Sequence, residues 1–518
     1  MPPARSDQTS RDTALVNAGI VLSRIVGLVR QRVLAHYLGT SAAADAVMAA
    51  FRIGNVTQNL LGEGALSASF VPVYLRLKIE GQGAHARFAR ATLGWLMLVV
   101  TAISVLGALF APLLAAAVAP GFEGFRLELT TRALRVLFPM TGVLVLGAWS
   151  LAILSANRRF LLGYMAPVAW SVAQILAVLV AGIGLHMRGA DIAMVVAWGA
   201  LGGAVTQLVV MAVPVRKILG GIAPTFERGA PGVREGMSKL PSAVLGRGVI
   251  QLSGLVDTLL VSFLGPGAVS TFTYAQTIYL LPMALLGPGE AAVSLVDFSE
   301  KRATLGENEA KQEIVRGLGR ALSRVFALAL GATVAFIALG PEVVAVLFQG
   351  GSFDADSTRA VALVLAAYGP GLPANAASRL FGTACFALGD TRRPAVFAAI
   401  RVVTSTVVSL VVMRWLGVAG VVIGAAFAAW VELALLVITV KRELGATGLG
   451  LVRYAPMVVS ALALGAAGLG ARYGLAHLGL RPVPTALAVV AAAGLAFLFV
   501  ADRSGALSVR SLIARRRG

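Results

Sequence analysis

Apolar segments long enough to cross a bilayer recur along almost the whole chain, and this excludes a water-soluble fold. A helical span needs about 20 mostly apolar residues. Fourteen candidates meet that pattern, at about 14–37, 42–74, 90–118, 128–155, 164–186, 191–214, 238–264, 268–297, 315–340, 357–387, 394–413, 417–440, 453–473 and 482–502. Lipid offers no hydrogen-bond partner to the backbone, so spans of this length are helices. The expected fold class is an all-α polytopic membrane protein with 14 transmembrane helices. With 518 residues, 58% of them hydrophobic and only 13% charged, the composition fits the same class.

Loop charge gives an independent count. With the N-terminus inside, the inner loops hold Arg76, Lys78, Arg87 and Arg90, then Arg158 and Arg159, Arg216 and Lys217, Lys301 and Arg302, Arg392 and Arg393, and Lys441 and Arg442, among others. The outer loops hold only Arg126, Arg188, Arg414, Arg472 and Arg481. Basic residues favour the inside by about five to one, as the positive-inside rule requires. One span more or fewer would scramble the alternation. Both termini are therefore expected in the cytoplasm, with Arg515, Arg516 and Arg517 against anionic membrane lipid. The net charge of +20 is explained by this topology, and no nucleic-acid partner is expected. The first span carries arginines and reaches no small-residue cleavage pattern, so it is expected to stay as an anchor.

The segment from Ser23 to Pro72 departs from this apolar text. It holds Arg24, Arg30, Arg32, Asp45, Arg52 and Glu63, with Asn55, Gln58 and Asn59. An ionisable group at mid-membrane costs several kcal/mol unless it faces protein or water, so such groups mark a ligand site by default. At about 100° per residue, Asp45, Arg52, Asn59 and Glu63 fall within roughly 40° of one another and Asn55 within roughly 80°, while Gln58 falls off the stripe. Arg24 and Arg30 lie roughly 120° apart on the preceding helix. Both can reach one hydrated space only if it is wide, which suits a bulky anionic head group better than an ion pore.

The chain also matches itself at an offset of 226 to 231 residues. Leu38 to Ala42 matches Leu264 to Ala268, Ala111-Pro112 matches Gly340-Pro341, and the turn at Asn157 to Phe160 matches that at Gly389 to Pro394. Repeats of this kind are common in transporters. The expected organisation is an N-lobe over 1–215 (spans 1–6), a cytoplasmic linker over 216–237, a C-lobe over 238–440 (spans 7–12), and spans 13 and 14 with a basic tail over 441–518. Gly62 and Gly64 in span 2, and Pro282, Pro288 and Gly289 in span 8, are candidate hinges. Nothing reads as catalysis, so the expectation is a transporter, not an enzyme. The single Cys385 and four histidines point to no metal site, no Walker loop is present, and no cofactor is expected.

Ser23 to Arg30, Ala44-Asp45-Ala46, Phe51 to Asn55 and Gly62 to Pro72 resemble the N-terminal signature of the MurJ (MviN) family, and Ala119 to Phe122 and Leu347 to Phe353 resemble its later landmarks. The resemblance covers nearly the whole chain. It implies a flippase of lipid II, the undecaprenyl-pyrophosphate-linked peptidoglycan precursor, in the bacterial cytoplasmic membrane. It also implies the multidrug/oligosaccharidyl-lipid/polysaccharide exporter fold, with two lobes around a cationic cavity. On that basis Arg24, Arg30, Arg52 and Asn55 would bind substrate, and Asp45 and Glu63 would be polar partners in the cavity. A monomer is expected, with cell-wall synthesis proteins as further partners. The chain departs from the family pattern at Gln31, Gln58 and Leu280, and at Gln276-Thr277, where an arginine is usual. Arg247 in span 7 is the candidate replacement for that cation, while Arg379, Arg401 and Glu432 read as packing residues. The alternatives are a related lipid-linked oligosaccharide or polysaccharide flippase or exporter, and a transport-inactive cell-wall scaffold.

Overall fold

The computed structural model describes residues 5–61, 63–236, 238, 254–286, 288–447, 451–476 and 482–503. Helix follows helix: α1 (Arg5–Leu38), α2 (Ala42–Leu61), α3 (Glu63–Glu80), α4 (Ala84–Leu109), α5 (Ala111–Val118), α6 (Gly124–Ala156), α7 (Phe160–Leu179) and α8 (Gly189–Leu219). After α9 (254–262) come α10 (Ala268–Leu286), α11 (Pro288–Thr304), α12 (Glu307–Ala338), α13 (Gly340–Phe348), α14 (Ala355–Tyr368), α15 (Gly371–Ala387), α16 (Arg392–Leu444), α17 (Leu451–Ala476) and α18 (Pro482–Arg503). No strand occurs among the described residues.

The helices form two compact units, one running to Ser270 and including Gly350–Phe353, the other comprising Thr271–Gln349 and the chain from Asp354 onward. The element order of the first half recurs in the second. The pair α2 and α3 corresponds to α10 and α11, and the short α5 to α13, each of which has proline in its first turn. Proline is favoured there because its missing N–H would be unpaired in any helix start.

In the first unit, α6 forms the centre. Trp149 is buried and donates its Nε1 hydrogen to the Ala89 carbonyl at 3.2 Å, tying α6 to α4. The segment after α8 packs back on the same unit, through Arg76–Glu235 at 2.6 Å and Arg87–Glu227 at 2.5 Å. In the second unit, α12 packs with α17 and α13 with α18, around a cluster that holds Ala327, Leu339, Met457, Leu464 and Val489. Asp354 caps α14 by accepting from the Ser357 amide at 2.8 Å, and that bond holds its carboxyl below the usual range.

Six described helices or helical runs are long and apolar enough to cross a membrane: α4, α6, Met165–Gly184, α8, α12 and α16. The pair α14 and α15, bent by 41°, makes a seventh. Arg24, Arg30 and Arg32 stand within α1, and Asp45 and Arg52 within α2. The 53-residue α16 holds two of the sequence spans, because it reverses at Gly417 (φ 54°, ψ −132°). Contacts step outward symmetrically from that turn: Ser409 Oγ donates to the Val421 carbonyl at 2.9 Å, Arg401 pairs with Glu432 at 2.8 Å, and Arg393 with Glu443 at 2.8 Å. Gly424 lies against Ser409 with no room for a Cβ. The outer faces carry large exposed apolar side chains such as Val403, Val407 and Trp415, as a lipid-facing surface requires.

Only glycine adopts the Gly417 conformation without strain. Gly417→Ala is expected to cost about 1–3 kcal/mol of stability, read as a lower melting midpoint of the detergent-solubilised chain. An unchanged midpoint would show that the reversal is not rigidly held.

Candidate functional site

The cations of α1 lie deep in the helix. Counting back from Leu38 at about 1.5 Å per residue, Arg30 is about 12 Å and Arg24 about 21 Å from the helix end, both within a hydrocarbon layer of about 30 Å. Their surroundings differ. Arg24 is exposed, whereas Arg30 is partly buried with its Cζ 4.3 Å from the centroid of the Trp170 ring. Trp170, on α7, is itself fixed. Its Nε1 donates to the Ala200 carbonyl at 2.8 Å, and Gly203 of α8 passes so close that an added Cβ would stand 2.6 Å from the Trp170 carbonyl oxygen. Stacking a guanidinium on a held indole is worth about 0.5–2 kcal/mol and orients it without cancelling its charge. Arg30 Nε is buried with no hydrogen-bond partner, and neither Arg24 nor Arg30 pairs with a carboxylate among the described residues.

On α2 the polar stripe passes through two environments. Asp45, in the first turn, is fully buried. Its carboxylate accepts from the Gly267 amide, the Ser270 amide and the Ser270 hydroxyl, each at 2.7 Å. These are the first, otherwise unpartnered, amides of α10, and a carboxylate there also meets the positive end of the helix dipole. Around it the backbone closes up. The Ser352 amide donates to the His36 carbonyl at 2.7 Å, and Gly39 lies against Ser352 with no space for a side chain. The Gly121 amide donates to Ser262 Oγ at 3.1 Å, and Arg126 donates to the Leu264 and Gly121 carbonyls. These contacts bring α2, the 262–270 segment, the 119–126 turn and Gly350–Phe353 together within the first unit.

Further along, Arg52 is partly buried and donates from Nε to the Gly254 carbonyl at 3.1 Å. A Cβ at Gly254 would meet the Arg52 guanidinium and displace it from this position. Asn55 is exposed. Glu63 opens α3, two residues beyond Leu61 at the end of α2. Arg247 lies outside the described residues. Thr277, where a cation was missed in the sequence, donates its hydroxyl to the Thr273 carbonyl at 2.9 Å within its own helix.

The structure therefore keeps Asp45 with 267–270 and gives Arg52 a backbone partner from α9. Among the described residues, Arg24, Arg30 and Asn55 have no carboxylate partner. Trp170, Gly254 and Ser270 were not singled out from the sequence. A tryptophan inside a span gave a signal for the first, and nothing local marked the other two. Among the described residues no three His, Cys, Asp or Glu side chains are grouped to hold a metal ion.

Long apolar helices, with guanidinium groups retained on α1 and α2, define a polytopic membrane protein. The fold agrees: a solved multidrug resistance MATE family transporter of the MOP superfamily, in an inward-facing conformation, aligns with a TM-score of 0.67 at 17% identity over 82% of this chain and 95% of its own. A solved lipid II flippase MurJ, in an inward closed conformation, aligns with a TM-score of 0.77 at 21% identity over 96% of this chain and all of its own. The family model for lipid II flippase MurJ matches residues 34–499. The probable lipid II flippase MurJ of Rhizobium tropici is 31% identical over 430 residues, covering 81% of this chain and 79% of the relative. The lipid II flippase MurJ of Burkholderia cenocepacia is 30% identical over 440 residues, covering 83% of each. The chain belongs to the MurJ lipid II flippase family.

Removing the Asp45 carboxylate strands the buried Gly267 and Ser270 amides, while the Ser270 hydroxyl keeps the Gly267 carbonyl at 3.1 Å. Asp45→Ala should lower stability by about 3 kcal/mol and Asp45→Asn, which keeps one acceptor, by less. Thermal denaturation in detergent reads both. Equal, negligible losses would show that the cap carries no energy.

Proposed function

We propose that this chain carries lipid II from the inner to the outer leaflet of the bacterial cytoplasmic membrane by alternating access, with Arg24, Arg30 and Arg52 receiving the pyrophosphate. The observation that carries this reading is that Arg24 and Arg30 lie inside a membrane helix without a carboxylate partner among the described residues, Arg30 being held on Trp170. Guanidinium groups stay charged and offer forked donors that replace water around a diphosphate. A sugar-peptide head group cannot cross hydrocarbon unaided, so the cations must line a hydrated cavity that opens to one side at a time. Asn55, exposed one turn from Arg52, offers a neutral partner to the same head group.

Fourteen spans fit this reading. They are α1, α2 with α3, α4, α6, α7, α8, the span containing α9, α10 with α11, α12, α14 with α15, the two halves of α16, α17 and α18. Spans 1–6 and 7–12 would form two lobes, both termini would lie inside, and no cofactor would be needed. The contacts around Asp45 would hold the outer end shut and would have to part for release. The protein would act as a monomer and meet cell-wall synthesis proteins at the membrane.

Complementation of a strain depleted of its lipid II flippase tests the assignment. The wild-type chain should restore growth, and Arg24→Ala, Arg30→Ala and Arg52→Ala should each abolish it at normal membrane levels. Growth with all three variants would remove these residues from the site.

A further inference from the structure

A cavity of about 410 Å³ opens in the second unit where the end of α15 meets both ends of α16. Its floor holds the buried Cys385 and Val440, and its rim holds Asp390, Arg392, Arg393 and Glu443. That volume is in the range of small-molecule sites, about 300–1,000 Å³. The turn that shapes it is held in place. Arg302 of α11 donates to the Ala387 carbonyl at 2.8 Å, and Gly389, at φ 85°, takes a left-handed conformation that suits glycine.

The four charges on the rim sum to zero, yet they do not all satisfy one another. Asp390 is taken up by the turn: one oxygen accepts the Arg392 and Arg393 amides at 3.1 and 3.0 Å, and the other lies 3.4 Å from Arg393 Nε. Arg393 also donates from Nη1 to Glu443 Oε1 at 2.8 Å. The Arg392 guanidinium and the second Glu443 oxygen have no hydrogen-bond partner among the described residues. The rim thus offers one unmatched cation and one unmatched acceptor. Its complement is a ligand that carries both an anion and a hydrogen-bonding cation.

Arg392 also heads an apolar stripe. At about 100° per residue, Val396, Ile400, Val403 and Val407 fall within roughly 80° of it on α16. All of them are exposed, Val403 at 63%. From Val396 to Val407 the stripe runs about 16 Å along the helix, close to half of a hydrocarbon layer of about 30 Å. A stripe of that length beginning at the end of a span matches one acyl chain in one leaflet. A water-soluble zwitterion would have no use for it.

We propose that this cavity seats a phospholipid with a phosphoethanolamine head group, its phosphate on Arg392, its ammonium on Glu443 and one acyl chain along Val396, Ile400, Val403 and Val407. A guanidinium offers forked donors to phosphate. An ammonium offers N–H donors to the open Glu443 oxygen, and a trimethylated choline has none. A glycerol head group brings the phosphate without a cation for Glu443, so both other lipids leave one side of the rim unmet. The seat does not depend on which lipid is transported.

Native mass spectrometry of the purified full-length chain tests this, with ethanolamine, choline and glycerol phospholipids of identical acyl chains titrated in detergent. The ethanolamine lipid should be retained about tenfold more tightly than either of the others. Arg392→Gln and Glu443→Gln should each remove most of that preference, and Arg359→Gln should leave it intact. Because Glu443→Gln also loosens Arg393, Arg392→Gln carries the test, with a melting midpoint equal to that of the wild-type chain. Equal retention of the three lipids would mean a nonspecific lipid shell, and tighter retention of the glycerol lipid a plain cationic surface; either overturns the proposal. So would an unchanged preference in Arg392→Gln, or displacement of the lipid by equimolar glycerophosphoethanolamine, which would make the ligand a soluble molecule.

Discussion

A guanidinium group held inside an apolar helix without a protein acid is the interaction that the remaining architecture serves. Moving such a charge into hydrocarbon costs several kcal/mol, and a folded membrane protein tolerates it only where the surroundings are polar or hydrated. The long helices α4, α6, α8, α12 and α16 each contain an apolar stretch of 18 residues with at most two charges. Trp170 fixes Arg30 by its ring face, which positions the cation while leaving the charge available. A carboxylate in the same place would have fixed it more tightly and removed its use.

Asp45 shows the opposite arrangement. It stands on the same helical stripe as Arg52, yet its charge is fully spent on Gly267 and Ser270. A buried carboxylate that accepts three bonds is a structural fastening, and its position at the start of α10 gives it both amides and a helix dipole. Close backbone packing at Gly39, Gly121 and Gly267 is what lets these segments approach. One stripe on α2 therefore runs from a fastened end at Asp45 to a partly exposed end at Arg52 and Asn55.

Much of this was legible in the sequence. The helical spans followed from apolar length, and the repeat located the matching junctions at α2 and α10. The charged block from Ser23 to Pro72 drew attention to α1, α2 and α3 because charge is rare in such text. Two kinds of feature were hidden. Partners distant in sequence, such as Trp170 for Arg30 or Gly254 for Arg52, leave no local pattern, since a tryptophan in a span packs in many ways and glycine is common in membrane helices. The reversal at Gly417 was placed to within a few residues by apolar length, but the exposure of Arg379 against the pairing of Arg401 could only come from the fold. Arginine on a span looks the same whether it is paired or exposed.

The central claim is that the membrane-embedded cations recognise pyrophosphate. The most direct measurement is transfer across proteoliposomes containing the purified chain, comparing a pyrophosphate-linked sugar-peptide lipid with its monophosphate-linked counterpart and following head groups reached by an impermeant reagent. The account predicts rapid transfer of the first and much slower transfer of the second. Equal rates for the two, or no transfer of either, would contradict it.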